Sequence, residues 1–455
     1  MAKTKISFND IKQVLKRFLM LLMAVQILLG IMWILCNFLT TQQYTETERY
    51  VNAAKGGAID EYMGVLYPIL IRVAQILTQP FGGRYEILLY LLQLGTAFIG
   101  CSGFVALSSR TVAGSREAFG LGGLFLMTIP LNVQWHLAVL PNSLVTSLFC
   151  LLLGTVIRAY RNPRYRNGKM ICQISVLWGL MILLMPDYLW LGAVPVLFGA
   201  ALVIKQVCTV RKVAGTVISL MLSAVLTLGI NHLVQEPGSG GRIQKSLGAS
   251  MVSRLVWPNF GTNYFFWPEE IKSIMTEEEG REISQYADNV QLVFGPMVEN
   301  AYGREVADEL YWNMALRCLK DRTKETLQAI GEDLKAYLCP PWVVKEQLDG
   351  AGLSYSGFHY GKMRSKVPEL TKWYVTYGLY VFRVGIVIAL AYGVCKLVFK
   401  KKGRKMRYGP AVLSASCMIL QAVWYTMSGA GMMDYGNVCI VTMLWYSTIW
   451  TVYHE

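Results

Sequence analysis

The chain has 455 residues, is 54% apolar and 16% charged, and carries a formal net charge of +14. Apolar runs long enough for a hydrocarbon core, which takes about 20 helical residues, recur along it and predict a polytopic membrane protein rather than a soluble one. The positive charge falls in short connectors between those runs, which argues against a nucleic-acid partner and reads as a topology signal.

Lys3, Lys5, Lys12, Lys16 and Arg17 precede the first run, FLMLLMAVQILLGIMWILCNFL. It exceeds a signal-peptide core and has no small-residue cleavage site behind it, so it is read as a retained helix. Hydropathy places ten spans near 18–39, 86–108, 118–135, 143–160, 171–186, 188–205, 213–235, 375–399, 410–428 and 435–452. The segment 65–80 is apolar but short, and Arg72, Gln75 and Gln79 form a polar stripe at helical spacing. This suits a helix lying in the membrane interface. Counting it as a span would turn the basic connectors outward: Arg158, Arg161, Arg164, Arg166 and Lys169; then Lys205, Arg211 and Lys212; then the cluster between Lys396 and Arg407. The positive-inside bias therefore favours the interfacial reading, with both termini cytoplasmic and the protein in the plasma membrane.

The fold class expected is all-α, with about ten transmembrane helices, interfacial helices within 45–80, and a mainly helical insertion on the outer face. Three parts follow: a transmembrane module over 1–235, the insertion over 236–373, and a three-span module over 374–455. The insertion has near-balanced charge, 16 basic and 19 acidic residues. It opens on EPGSGG and continues in polar-faced helical stretches. Most of the ten cysteines lie in or beside apolar runs without C-x-x-C spacing, which argues against zinc or redox chemistry. Cys318 and Cys339 are the two in the polar insertion, and whether they pair is open from sequence.

Directly behind the first run stands TETERYVNAA, residues 45–54. Thr45 and Glu48 have the spacing of a capping box, which explains Glu48 structurally and leaves Glu46 unexplained. Then come Asp60 and Glu61, and after them the LYP that opens the interfacial helix.

An acidic residue, then Arg-Tyr, then a LYP helix and alternating spans resembles the GT-C superfamily of membrane glycosyltransferases, such as protein O-mannosyltransferases and aminoarabinose transferases. The resemblance covers the first 235 residues best and leaves 236–373 unmatched. It implies that Glu46 stands in the place of the family's catalytic aspartate, with Asp60 as the alternative base, and that Arg49 and Tyr50 lie where an Arg-Tyr pair binds substrate. In HLAVLPNSLVTSLF, Asn142 replaces the acid of a Pro-Asp pair, and MPDYLWLG supplies Asp187 at an outer turn. The donor implied is a polyprenyl-phosphate sugar drawn from membrane lipid, and the acceptor an envelope glycan, lipid or protein hydroxyl. Such a reaction needs a base for the acceptor and a cation for the departing phosphate. Arg72, His136, Arg242, Lys245 and Arg254 are the outer-facing candidates for the cation, and Asp187 and Asp434 are acids at outer span ends. Each has a plainer reading: Arg72 snorkels, and His136 beside Trp135 anchors at the interface. Glu46 and Asp60 have the oxygen ligands for Mg²⁺ or Mn²⁺, though two acids can equally repel, so a metal is left open. The rivals are a transporter or flippase for a lipid-linked or polar solute, and a non-catalytic scaffold for envelope assembly.

Overall fold

The computed structural model describes residues 8–39, 45–57, 59, 63–109, 112–206, 208–234, 252, 264, 267–284, 293–325, 327–328, 331, 366–398, 409–428, 440 and 442–449. All regular elements among them are helical. In chain order they are α1 (Phe8–Asn37), α2 (Thr45–Ala54), α3 (Leu66–Thr78), α4 (Tyr85–Ser108), α5 (Val112–Met127), α6 (Pro130–His136), α7 (Asn142–Arg161), α8 (Gly168–Leu184), α9 (Ala193–Ile204) and α10 (Val210–Val234). A 3₁₀ turn over Pro186–Gly192 joins α8 to α9. Then come α11 (Glu269–Ile274), α12 (Glu277–Ser284), α13 (Gly295–Tyr302), α14 (Arg304–Asp321), α15 (Pro368–Val398) and α16 (Gly409–Ser428).

Among the described residues four helices, Arg17–Asn37 within α1, α4, α7 and α10, are long and apolar enough to cross a membrane. Shorter apolar helices occupy Gly168–Leu184, Tyr188–Ile204 and Gly409–Gln421. The face that α10 turns outward is apolar, with Leu222 66%, Val225 71% and Leu233 86% exposed. A surface of that kind is stable against lipid and not against water.

The chain divides into two units: Met1–Glu236 with Lys362–Ala415 and Met443–Glu455, and Pro237–Gly361 with Ser416–Thr442. The first unit is a bundle centred on α7, whose residues from Asn142 to Ala159 are almost all buried. Its tightest seam is with α4, where a Cβ on Gly100 would stand 2.5 Å from the Ser147 carbonyl oxygen. Small residues let the two backbones approach, as suits apolar helices that gain little by hiding from lipid. Hydroxyls inside the apolar helices bond back to their own helix: Ser108 Oγ to Phe104 O at 2.6 Å, Thr155 Oγ1 to Leu151 O at 2.7 Å, and Thr227 Oγ1 to Ser223 O at 2.8 Å. Others join neighbours, as Ser175 Oγ meets Ser219 Oγ at 2.8 Å between α8 and α10.

The helices alternate in direction between two ends. At one, here the loop end, Phe38 after α1 packs on Tyr90 of α4 with ring centroids 6.2 Å apart. Lys366 N donates to Asn37 Oδ1 at 3.0 Å, which sets the start of α15 beside the finish of α1. Asn231 near the finish of α10 donates to Ile182 O of α8 at 3.3 Å. Within the first unit, the finish of α10 and Lys366 therefore stand at the same end. At the opposite, basic end the last carbonyls of helices receive cations, as helix C-termini favour. Arg161 donates to Ser108 O at the finish of α4, and Arg166 donates to Ala159 O at 2.8 Å and Tyr160 O at 2.9 Å at the finish of α7.

The predicted span 118–135 is broken in the structure into α5 and α6. Ile129 is extended ahead of Pro130, which has no amide hydrogen and stands in the first turn of α6. The break strands carbonyls, and buried side chains take them up: Thr128 O accepts from Gln26 Nε2 at 2.8 Å and from the Tyr374 hydroxyl, and Met127 O accepts from His136 Nε2 at 3.1 Å. In an apolar surrounding each such group left alone would cost several kcal/mol, roughly.

The second unit holds an apolar core of Trp267, Ile271, Met275, Phe294, Val298, Leu310, Tyr311 and Met314 among others. The rings of Tyr264, Trp267, Phe294 and Tyr311 follow one another at 5.2, 6.0 and 6.0 Å. Cys318 is buried in this core, and burial pushes its thiol up to about 11, away from nucleophilic use. Cys339, its candidate partner, lies outside the described residues. The division places Ser416–Thr442 with the insertion, whereas the sequence groups it with the last spans.

Thr276 caps α12 through a reciprocal box: Glu279 Oε2 accepts from Thr276 N and Thr276 Oγ1 at 2.8 Å each, and Glu279 N donates to Thr276 Oγ1 at 3.3 Å. These bonds hold the Glu279 carboxyl below its usual range, the backbone bond from Thr276 contributing most. A depressed carboxylate pKa stabilises above the unfolded value and loses that contribution as pH falls through the folded one. Amide exchange in the first turn of α12 should therefore quicken on acidification, and Glu279→Gln should flatten that dependence.

Candidate functional site

At the loop end, the segment between the first two spans folds into two helices laid against the bundle. α3 has three faces, as roughly 100° per residue requires. Tyr67, Pro68, Ile71 and Ala74 are buried against the bundle. Arg72 and Gln79 are exposed with half-buried Gln75 on a second face, as the sequence predicts. A third face exposes Ile69 52%, Val73 46%, Ile76 56% and Leu77 57%. One buried side, one polar exposed side and one apolar exposed side are what a helix at a membrane surface requires. α1 finishes and α4 begins at the same end of the bundle, and α3 lies between them in the chain.

The docking of α3 depends on a close backbone approach and two buried amides. Gly64 lies against α8, where a Cβ would stand 2.0 Å from Leu183 O. Asn231 Oδ1 accepts from Val65 N at 3.2 Å. Gln93 Nε2, buried in α4, donates to Tyr67 Oη at 2.8 Å and to Leu140 O at 3.0 Å. Tyr50 of α2 then meets Tyr67 edge to face, with centroids 5.3 Å apart. Gly64, Gln93 and Asn231 were not singled out from sequence, and Tyr67 only as part of the LYP that opens the helix. A lone amide inside an apolar run is the signal that marks Gln93 and Asn231, since an unpaired amide there would be costly.

Of the site residues predicted, Arg49 is half-buried on α2, Tyr50 is 5% exposed and packs inward, and Arg72 is exposed on α3. Glu46 stands on the first turn of α2 by its backbone, and its side chain and that of Thr45 lie outside the described residues, so the capping box is not described; Glu48 is exposed. Asp187 belongs to the 3₁₀ turn at the loop end, again without a described side chain. Asp60, Arg242, Lys245, Arg254 and Asp434 lie outside the described residues.

His136 is placed differently from the outer-facing cation expected of it. It is 2% exposed, with Nδ1 2.7 Å from Ser143 Oγ and Nε2 3.1 Å from Met127 O. A carbonyl can only accept, so Nε2 carries the hydrogen and Nδ1 is free to accept the Ser143 hydroxyl. His136 ties the broken α5–α6 joint to the start of α7, a task set by Pro130 and invisible from the neighbouring Trp135. Asn142 is buried at that start, 5% exposed.

No group of three or more His, Cys, Asp or Glu stands together to hold a metal among the described residues. The loop end thus presents a helical layer with cations at Arg49 and Arg72, an acid at Glu48, and a carboxylate-bearing first turn at Glu46. No protein-family model matches the chain, and no curated protein matches its sequence.

Proposed function

We propose that the protein is a membrane-embedded glycosyltransferase of GT-C type that works at the loop end. The observation that carries this reading is the folded, non-spanning layer of α2 and α3 behind the first span, held by Gly64, Asn231 and Gln93. A lipid-linked donor needs its phosphate at the water interface and its chain in the bilayer, and α3 offers a cation, Arg72, beside an apolar outward face. In the reaction, the acceptor oxygen bonds to the anomeric carbon, the bond from that carbon to the phosphate oxygen breaks, and polyprenyl phosphate leaves with the electron pair. The Glu46 carboxylate takes the acceptor's proton, and Arg72 or Arg49 offsets the phosphate charge. Transfer of sugar from a polyprenyl-phosphate donor by the purified chain in nanodiscs tests this, and the absence of turnover with any such donor sinks it.

The reading includes ten spans with the basic end cytoplasmic. Cysteines introduced at Ser246 and Asn167 should then react with an impermeant thiol reagent from opposite sides of a sealed membrane. Labelling of both from one side is incompatible with it.

The broken α5–α6 helix favours a second reading, transport of a polar or lipid-linked solute, because interrupted helices line solute pathways. Near it, Gln26 Oε1 and Asn132 Oδ1 are buried without a hydrogen-bond partner among the described residues. No charged side chain is placed with them by the described contacts, and the sequence has no internal repeat, so this reading stands second. Solute flux without sugar transfer would reverse the order, and neither activity would favour the scaffold.

A further inference from the structure

α3 ends in a turn that its own backbone fixes. Thr78 Oγ1 donates to Ala74 O at 2.8 Å and Gly83 N to Thr78 O at 2.9 Å, which closes the helix over a 3₁₀ turn at Gln79–Phe81. Gly82 and Gly83 have φ of 90° and 74°, the left-handed region open to glycine. With Arg84 they are all that separates Phe81 from α4. So short a link holds the Phe81 ring outward, and it is 85% exposed. It stands four residues beyond Leu77, in continuation of the apolar outward face of α3 that Ile76 and Leu77 end. Arg84 is exposed and has no ion pair among the described residues, and Glu86, the acid nearest in sequence, is half-buried and not joined to it. The positive end of the α4 dipole offers Arg84 no countercharge either.

We infer that this turn is a phospholipid anchor, in which Phe81 enters the acyl region of the bilayer and Arg84 takes a headgroup phosphate. A ring that its backbone holds outward is disfavoured in water and favoured among acyl chains. The neighbouring surfaces select lipid as the occupant: α4, which begins here, is long and apolar enough to cross a membrane, and it exposes Leu91 and Leu92 two turns in. Apolar surface thus lies on both sides of the turn. The cation stands at the joint between them, the level at which headgroups meet an amphipathic segment, and charge complementarity selects their phosphate. The anchor uses neither Glu46 nor Arg72, and it holds whether or not the protein transfers a sugar.

The test replaces Phe81 by the photoreactive p-benzoylphenylalanine in the full chain, held in nanodiscs of phosphatidylglycerol and phosphatidylcholine, and identifies the adducts by mass spectrometry. Lipid adducts should dominate at Phe81. The same replacement at Gln79, exposed on the polar side of α3, should give roughly tenfold fewer. Arg84→Gln tests the cation with lipid made limiting in mixed micelles. Capture of phosphatidylglycerol at Phe81 should fall about fivefold, the worth of one cation beside a headgroup, whereas capture of diacylglycerol, which has no phosphate, should not change. Equal lipid yields at Phe81 and Gln79, or adducts to protein or water in place of lipid, would overturn the anchor. An equal fall for both lipids in Arg84→Gln would make Arg84 a prop of the turn and overturn the phosphate assignment, and so would no fall for either.

Discussion

Gly64→Leu is expected to detach α3 from the bundle. A Cβ at this position would lie 2.0 Å from Leu183 O and 2.4 Å from the Leu184 carbonyl carbon, both backbone atoms at the finish of α8. Backbone has no rotamer with which to yield, so the overlap is relieved by moving α3, at a cost of about 3 kcal/mol, the upper part of the overpacking range. The readout is local. A cysteine at Ala74, which is 3% exposed, should resist a maleimide in the parent background and react quickly beside Gly64→Leu. Asn231→Ala should give a milder form, because it leaves the Val65 amide and the Ile182 carbonyl unpaired at roughly 1–3 kcal/mol each. Gly95→Ala, where an added Cβ meets nothing within 4 Å, should be silent or slightly stabilising. Slow labelling at Ala74→Cys in the Gly64→Leu background would show that the close approach is not what holds the layer.

Sequence alone made the helical elements legible because hydropathy reports where a chain prefers lipid, and α1, α4, α7, α8 and α10 fall on predicted runs. The interfacial reading of α3 drew on a different signal: the basic connectors constrain parity, so distant charges weigh on a local ambiguity. The break at Pro130 was not, although the proline is plain, because a window of about 19 residues averages over one missing amide. His136 was misplaced for a related reason. Adjacency to Trp135 suggested an interface anchor, whereas its partner is the Met127 carbonyl that the break releases, nine residues earlier. Asn231 bonds to Val65 across 166 residues, a pairing to which no local pattern points. The candidate site was the least legible part, since its carboxylates were assigned by resemblance rather than by any periodicity, and the side chains of Glu46 and Asp187 lie outside the described residues.

Glu46→Gln should lower sugar transfer by roughly 10²-fold or more while leaving the fold intact, if Glu46 is the base of the proposed reaction. The substitution keeps shape and hydrogen-bonding capacity and removes the proton acceptor, so a loss confined to turnover reports chemistry rather than collapse. Glu48 is the internal control. It is exposed two residues further along α2, and Glu48→Gln retains an acceptor for a capping role, so its effect should be small. Arg72→Gln tests the other half of the reaction: a cation that offsets the leaving phosphate should, when lost, depress turnover more than donor binding, because the charge it meets grows in the transition state. Glu46→Asp retains the carboxylate and should retain part of the activity. Matched amounts of folded protein and a radiolabelled polyprenyl-phosphate donor make these comparisons direct. Full activity in Glu46→Gln would transfer the base to Asp60, and full activity in the Glu46→Gln, Asp60→Asn double variant would leave α2 as the scaffold on which Tyr50 meets Tyr67, with the reaction's proton acceptor elsewhere.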